Sequence, residues 1–362
     1  MVAPPPVPGP GLPAGADGTP LGHAVTPLVP GPALPAGADG PPLGSVTTPL
    51  VPGPGSPAGA LAPLGARVAT PEPAAGPQAI SLWDAVDANL QRRLESRLAL
   101  LGLDRAIAEK HLAVALVDIA VVGKPRVAAV NGDEMMYAAS LPKIAILLGA
   151  FERIHDGSLV LDPQAENELL GMIRDSSNAA ASAMMDRVGK AYIANVLQSP
   201  RYQLYDERRN GGLWVGKNYA QMGLWRRDPL HNLSHGATAM QVARFYYLLE
   251  TGHLVSPEHS RRMKAILAKS SLDHKFLRGI RERFPQAAVY RKSGTWGKFH
   301  ADSALIEHDG RRYIAVALCE SDRGSQWLRD IVVALDDIVS VQPQLIEMAE
   351  RFALKRRLRA RR

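Results

Sequence analysis

Three short groups of residues carry side chains suited to acyl transfer. The first is Ser140-Leu141-Pro142-Lys143. A serine hydroxyl attacks a carbonyl only once a base removes its proton, and a lysine amine serves as that base when burial or a neighbouring cation lowers its pKa. Three residues apart at the start of a helix, the two side chains share a face and the amine reaches the hydroxyl. The second is Ser176-Ser177-Asn178. On a turn between helices, two polar side chains two apart can both point into one cleft, one relaying a proton and one donating a hydrogen bond to a substrate amide. The third, Lys292-Ser293-Gly294-Thr295, reads as strand. There Lys292 is a fixed positive charge for a substrate carboxylate, and Gly294 lets a substrate backbone come close. Each group alone has an ordinary structural explanation: a helix cap, an inter-helix turn, an edge strand with a surface lysine. Together, in this order and each on the element its role requires, they point to a serine nucleophile acting on an amide.

The elements that must position them follow from periodicity. Ser81 caps a helical pattern running to about Leu101, with apolar residues at threes and fours. Leu112 to Val117 is a short apolar strand. Val121 to Pro125 turns into a second strand, Arg126 to Val130, and the pair reads as a central hairpin. Lys143 to Phe151 is apolar almost all round, a helix buried on every side, with Ser140 at its entrance and Pro142 in its first turn. Asp162 to Gln198 is helical, interrupted at the polar cluster Asp175 to Asn178. Ser199 to His235 is long and irregular, with Trp214, Tyr219 and Trp225 as anchors. Thr238 and Gln241 form a capping box for a helix through Leu249. Three strands (Ala288 to Thr295, Ala301 to Glu307, Tyr313 to Leu318) and a helix from Ser325 to Val341 complete the pattern. It predicts an α/β fold of the α+β type, with an antiparallel sheet assembled from both chain ends and flanked by helices, plus an all-helical lobe.

The three groups, in sequence order, resemble the S-x-x-K, S-D-N and K-T-G signature of class A β-lactamases and penicillin-binding proteins, and the resemblance covers roughly Ser81 to Val341. It implies Ser140 as the acylated nucleophile and Lys143 as the base or its partner. Ser176 would carry the proton to the leaving nitrogen, and Asn178 would bind the substrate side-chain amide. Lys292 and the Ser293 hydroxyl would hold the carboxylate, and the backbone N–H groups of Ser140 and Thr295 would form the oxyanion hole. The resemblance implies a small-molecule β-lactam or a peptidoglycan peptide as partner, a monomer, and neither cofactor nor metal. Three features depart from it. Ser177 stands where aspartate is usual. Ser140 and Ser176 are closer in sequence than in familiar class A enzymes, so part of a pocket wall is missing. The E-x-x-L-N pattern of the deacylating glutamate is absent between Ser199 and His235, where Glu207, beside Asp206, is the candidate base. An acyl-enzyme with no base to activate water hydrolyses slowly. A β-lactam hydrolase, a D,D-peptidase acting on stem peptides and a non-catalytic penicillin- or peptide-binding sensor therefore stay open as alternatives.

The remaining features bound the function class. The chain has 362 residues and a formal charge of +7. Lys355, Arg356, Arg357, Arg359, Arg361 and Arg362 supply nearly all of the excess, so no nucleic-acid surface is implied. Residues 1–79 hold most of the proline and no aromatic residue. Val7-Pro8-Gly9-Pro10 recurs at Val29 and Val51, a repeat of about 22 residues, which reads as a disordered Pro/Ala/Gly-rich tether. Residues 80–341 form the hydrolase-like domain. Residues 342–362 read as a basic C-terminal helix or tail, with an anionic membrane surface as the alternative partner. Cys319 sits in an apolar run as a small buried hydrophobe. His231 and His235 have the spacing of a metal pair, but Asn232 and Ser234 favour a loop. No run reaches the length of a membrane span, and the N-terminus shows no signal-peptide pattern, although the resemblance implies the cell envelope or secretion.

Overall fold

The structure, a computed structural model, describes residues 81–219 and 226–340. The expected tether over 1–79, the basic tail over 342–362 and Trp225 lie outside the described residues. In chain order the first half forms a 3-10 turn (Leu82–Ala85), α1 (Ala88–Leu100), α2 (Asp104–Ala108), β1 (Leu112–Asp118), β2 (Arg126–Val130), β3 (Met136–Tyr137), α3 (Lys143–His155), α4 (Pro163–Arg174), α5 (Asn178–Val188) and α6 (Lys190–Gln198). There follow β4 (Tyr205–Asp206), a second 3-10 turn (Glu207–Arg209), β5 (Gly211–Gly212), β6 (Trp214–Val215) and β7 (His235–Ala237). The chain continues through α7 (Ala239–Glu250), α8 (Pro257–Leu267), α9 (Lys275–Arg283), β8 (Ala288–Trp296), β9 (Phe299–His308), β10 (Arg311–Glu320) and α10 (Gly324–Ser340).

The main sheet has the order β2-β1-β10-β9-β8 and is antiparallel throughout. Strands from both ends of the chain assemble it, as the sequence pattern predicts. The first hairpin is not central, however: β10 holds the middle and β2 is an edge. β1 and β10 read as continuous apolar runs because both of their faces are covered. Leu112, Val114 and Leu116, with Tyr313, Ala315 and Ala317, pack with apolar residues of α1, α9 and α10. Ala113, Ala115 and Val117, with Ile314, Val316 and Leu318, pack with those of the helical lobe, including α3 and α7.

Local chemistry sets most boundaries. Asp162, Ser177, Thr238 and Ser256 each accept the N–H three residues on and so start α4, α5, α7 and α8. Gly189, at φ 92°, separates α5 from α6. Asp309 and Gly310 both have positive φ, the two-residue turn whose twist suits a hairpin. Two expectations need correction. Ser81 caps nothing: Asp87 accepts from the N–H groups of Asn89 and Leu90 and starts α1, while Val86 is drawn into a bridge with Val127. The capping box of α7 is half formed, since Thr238 accepts from Gln241 N–H at 3.3 Å but the Gln241 side-chain oxygen has no partner among the described residues.

Behind β8 lies a buried ion pair. Arg291 and Asp302 are both fully buried, and the guanidinium meets the carboxylate through Nε at 2.8 Å and an Nη at 2.8 Å. Asp302 also accepts from the N–H of Phe276 and of Ser303, and Arg291 donates to the carbonyls of Leu272 and His274. The pair therefore fixes β8, β9 and the entrance to α9 together. Asp302→Ala leaves an uncompensated buried guanidinium and is expected to cost about 3–5 kcal/mol, measured by urea unfolding against the parent chain.

Candidate active site

Ser140 is not in the helix that follows it. α3 begins at Lys143, with Pro142 in the position before it, so Ser140 stands in the preceding turn. Ala139 enters that turn at φ 48°, a left-handed conformation that a residue with a Cβ adopts at a cost. The turn is held by Leu141 N–H to Ala138 O at 3.0 Å, Lys143 N–H to Ser140 O at 3.3 Å, and Ala138 N–H to His235 O on β7 at 3.0 Å. The Ser140 N–H donates to no backbone carbonyl among the described residues. Edge strand β8 crosses at this point. A Cβ on Gly294 would stand 2.2 Å from Ala138 O and 2.8 Å from the backbone nitrogens of Ser140 and Leu141. Glycine is required here because strand and turn touch, a stronger reason than the approach of a substrate.

Lys143 is fully buried at the head of α3. Its Nζ donates to Ser176 O at 2.6 Å and to Asn178 Oδ1 at 2.9 Å, and lies 3.4 Å from Ser176 Oγ. The Ser140 hydroxyl is partly exposed and makes no hydrogen bond among the described residues. Burial lowers the Lys143 pKa from 10.5 to about 7. Lys292 reaches the same place from β8, donating to Ser176 Oγ at 2.9 Å and to Ser293 O at 2.7 Å. Its pKa lies well below the usual lysine range, first through burial and then through the charge of Lys143. One hydroxyl thus joins two buried amines, and burial opposes the fixed charge expected of Lys292.

The turn from α4 to α5 delivers Ser176. The N–H groups of Asp175 and Ser177 both donate to Gly171 O, and Ser176 takes φ 57°. Ser177 caps α5 through Ala180 N–H, a role that serine fills as well as aspartate. Asn178, exposed at the first position of α5, spends its side-chain oxygen on Lys143 and keeps its amide N–H groups free of partners among the described residues.

Strand alternation puts Ser293 and Thr295 on the face of Arg291, opposite Lys292 and Gly294. Ser293 is buried, while Thr295 is exposed and accepts through Oγ1 from Lys275 Nζ at 2.7 Å. Lys275 also donates to Gly294 O at 2.7 Å and to Ala301 O at 3.3 Å, and burial lowers its pKa to about 8. Nothing in the sequence singles out Lys275, which opens an amphipathic helix where lysine is ordinarily solvated. Its left-handed φ of 51° turns it inward.

The loop between α6 and α7 supplies an aromatic ring beside Lys143 and no carboxylate. Tyr219 lies with its ring centroid 4.5 Å from Lys143 Nζ. His235 lies 4.2 Å from the same ring, its Nε2 3.1 Å from Lys217 O, and burial lowers its pKa to about 4, so it is a neutral imidazole. Glu207 is exposed on the second 3-10 turn, and its side chain makes no hydrogen bond or ion pair among the described residues. Asp206 caps that turn. Asp228 is buried under the loop, accepting from Tyr205 OH and from the N–H groups of Leu230, His231 and Leu233. Residues 220–225, outside the described set, contain no acidic side chain. His231 and His235 take different partners: His231 meets Asn210, not a shared site with His235. Cys319 is buried, and burial raises its pKa to about 12.

The Beta-lactamase enzyme family matches residues 165–337, a span that holds Ser176, Asn178 and the Lys292 group but begins after Ser140 and Lys143. No curated protein sequence matches the chain. Among solved structures, PBP-A superposes with a TM-score of 0.52 at 18% identity, over 69% of this chain and 95% of its own. A β-lactamase from Sphaerobacter thermophilus gives 0.53 at 19% identity, over 68% and 99%. An ancestral class A β-lactamase gives 0.55 at 19% identity, over 67% and 99%. The chain has the mixed helical and antiparallel fold of these proteins and resembles the β-lactamase-like superfamily. Gly294→Ala drives a methyl group into the Ser140 turn and is expected to cost about 1–3 kcal/mol. Thermal unfolding checks this; an unchanged midpoint would show that turn and strand do not touch.

Proposed function

We propose that this chain is a β-lactamase-like serine hydrolase that is acylated at Ser140 by β-lactams and releases the acyl group slowly. The observation that carries the reading is the bonded set Lys143–Ser176–Lys292, held beside the free Ser140 N–H by the close fit of Gly294. A neutral amine has two N–H donors and one lone pair. The short bonds from Lys143 to Ser176 O and Asn178 Oδ1 use both donors and leave the lone pair for a hydroxyl proton. With a pKa of about 7, Lys143 is available in that form at neutral pH.

In this reading Ser140 Oγ attacks the β-lactam carbonyl as its proton passes to Lys143. The oxyanion develops between the N–H groups of Ser140 and Thr295. Ser176, tied to both amines, gives a proton to the leaving nitrogen, and Asn178 offers its amide N–H groups to the substrate side chain. A substrate carboxylate beside Lys292 favours the ammonium that burial disfavours, so binding itself supplies the charge. Ser293 and Thr295 line the same strand end. Slow release follows from Lys143 having no ion-pair carboxylate among the described residues, Glu207 being exposed on the second 3-10 turn without a bond to the site's side chains. In a PBP-A mutant solved as its acyl-enzyme complex with penicillin-G, the shared fold holds such an adduct, at 18% identity and a TM-score of 0.53 over 69% of this chain and 96% of its own. A D,D-peptidase acting on stem peptides is the second reading, favoured by edge strand β8, whose outer side pairs with no strand among the described residues and could pair with a peptide backbone.

Incubation with a fluorescent penicillin tests the proposal. The parent chain is expected to take one label that survives denaturation, and Ser140→Ala none. A label lost within seconds would instead mark an efficient β-lactamase, and an unlabelled parent chain would refute the reading. The labelling rate is expected to rise about tenfold per pH unit below about pH 7 and to level off above it, because the neutral amine is the base. A rate independent of pH between 5 and 8 would remove Lys143 from that role. Lys143→Met is expected to slow labelling by about 10²–10⁴-fold.

A further inference from the structure

We propose that Tyr219 shields the Ser140 ester from water and thereby sets the lifetime of the acyl-enzyme. This rests on the reading that Ser140 is acylated. Release requires a water oxygen to attack the acyl carbonyl while a base takes its proton, after which the bond to Ser140 Oγ breaks and the serine oxygen regains a proton. The base within reach is Lys143. Its Nζ is enclosed by Ser176 O and Asn178 Oδ1 on two sides and by the Tyr219 ring, 4.5 Å from centroid to nitrogen, on a third. With the acyl group on the remaining side, the Tyr219 ring covers the approach by which a water would reach both the amine and the ester.

The ring is held in place from every part of the residue. The backbone of Tyr219 is pinned twice by one buried hydroxyl: its N–H donates to Ser182 Oγ at 3.0 Å, and Ser182 Oγ donates to its carbonyl at 3.1 Å. The phenol hydroxyl lies 3.4 Å from Ala139 O, directly before the nucleophile. The ring rests on the neutral imidazole of His235, with centroids 4.2 Å apart and planes 36° apart. His235 in turn accepts Ala138 N–H through its carbonyl. Shield and nucleophile turn are thus one assembly. An aromatic ring in this position does two things that a carboxylate would not. It offers no proton acceptor for a water, and its face tolerates the lysine in either charge state.

The test separates acylation from release. The parent chain, Tyr219→Leu, Tyr219→Phe and Ser182→Ala are each labelled with fluorescent penicillin, freed of excess reagent, and followed for loss of label. Tyr219→Leu opens the space beside Nζ and is expected to speed release about tenfold relative to the labelling rate, equivalent to about 1.4 kcal/mol in the barrier. Ser182→Ala frees the backbone while keeping the ring and is expected to shift release in the same direction. Tyr219→Phe keeps the ring and is expected to restore the long lifetime. Label half-lives in Tyr219→Leu and Ser182→Ala equal to that of the parent chain would overturn the shield while leaving acylation of Ser140 standing. A parent chain that takes no label would overturn both.

Discussion

Two lysine side chains buried against one serine hydroxyl impose the constraint on which the rest of this structure depends. Lys143 and Lys292 both point at Ser176, and neither forms an ion pair with a carboxylate among the described residues. Two ammonium groups at such a distance, out of water, repel strongly. The site resolves this by lowering both pKa values and by surrounding the amines with oxygen acceptors rather than anions: the Ser176 and Ser293 carbonyls and the Asn178 amide. Those acceptors come from the α4–α5 turn and from β8, so the positions of the helical lobe and the sheet edge are fixed by the needs of two amines.

Much of the surrounding architecture serves that meeting. Gly294 lets β8 touch the turn that carries Ser140. The buried Arg291–Asp302 pair fastens the same strand from its other face, and Lys275 holds its end through Gly294 O and Thr295 Oγ1. Residues with a Cβ occupy left-handed conformations at Ala139, Ser176 and Lys275, each beside a group with proposed chemistry. Local strain of this kind persists where surrounding contacts over-determine it. The same contacts that strain these positions keep the reacting groups from drifting apart.

The fold class and the three motif groups were legible in the sequence because they rest on local signals. Apolar periodicity marks the strands and helices, Thr238 marks a helix boundary, and Ser140, Ser176 and Lys292 stand in a recognisable order. What was illegible depends on contacts between distant segments. Lys275 carries no signal in the sequence and Tyr219 reads only as a loop anchor; folding alone brings one under β8 and the other over Lys143. Ser81 seemed the natural cap, but pairing of Val86 with Val127 moved the helix start to Asp87. Gly294 stands out in the sequence for close backbone approach, but its contact with the turn that carries Ser140 does not. Glu207 stands out as the loop's only glutamate, and composition does not say that it is exposed on a 3-10 turn without a side-chain partner among the described residues.

The charge states of the two lysines bear most directly on this account. Titration of the protein with lysine side-chain nitrogens labelled with 15N, assigned through Lys143→Met and Lys292→Met, would follow each amine from pH 5 to 11. Lys143 is expected to lose its proton near pH 7, with Lys292 titrating below the ordinary lysine range and moving upward when Lys143 is removed. Independent titration of both amines near 10.5 would contradict the shared-hydroxyl arrangement, and with it the base assigned to Ser140.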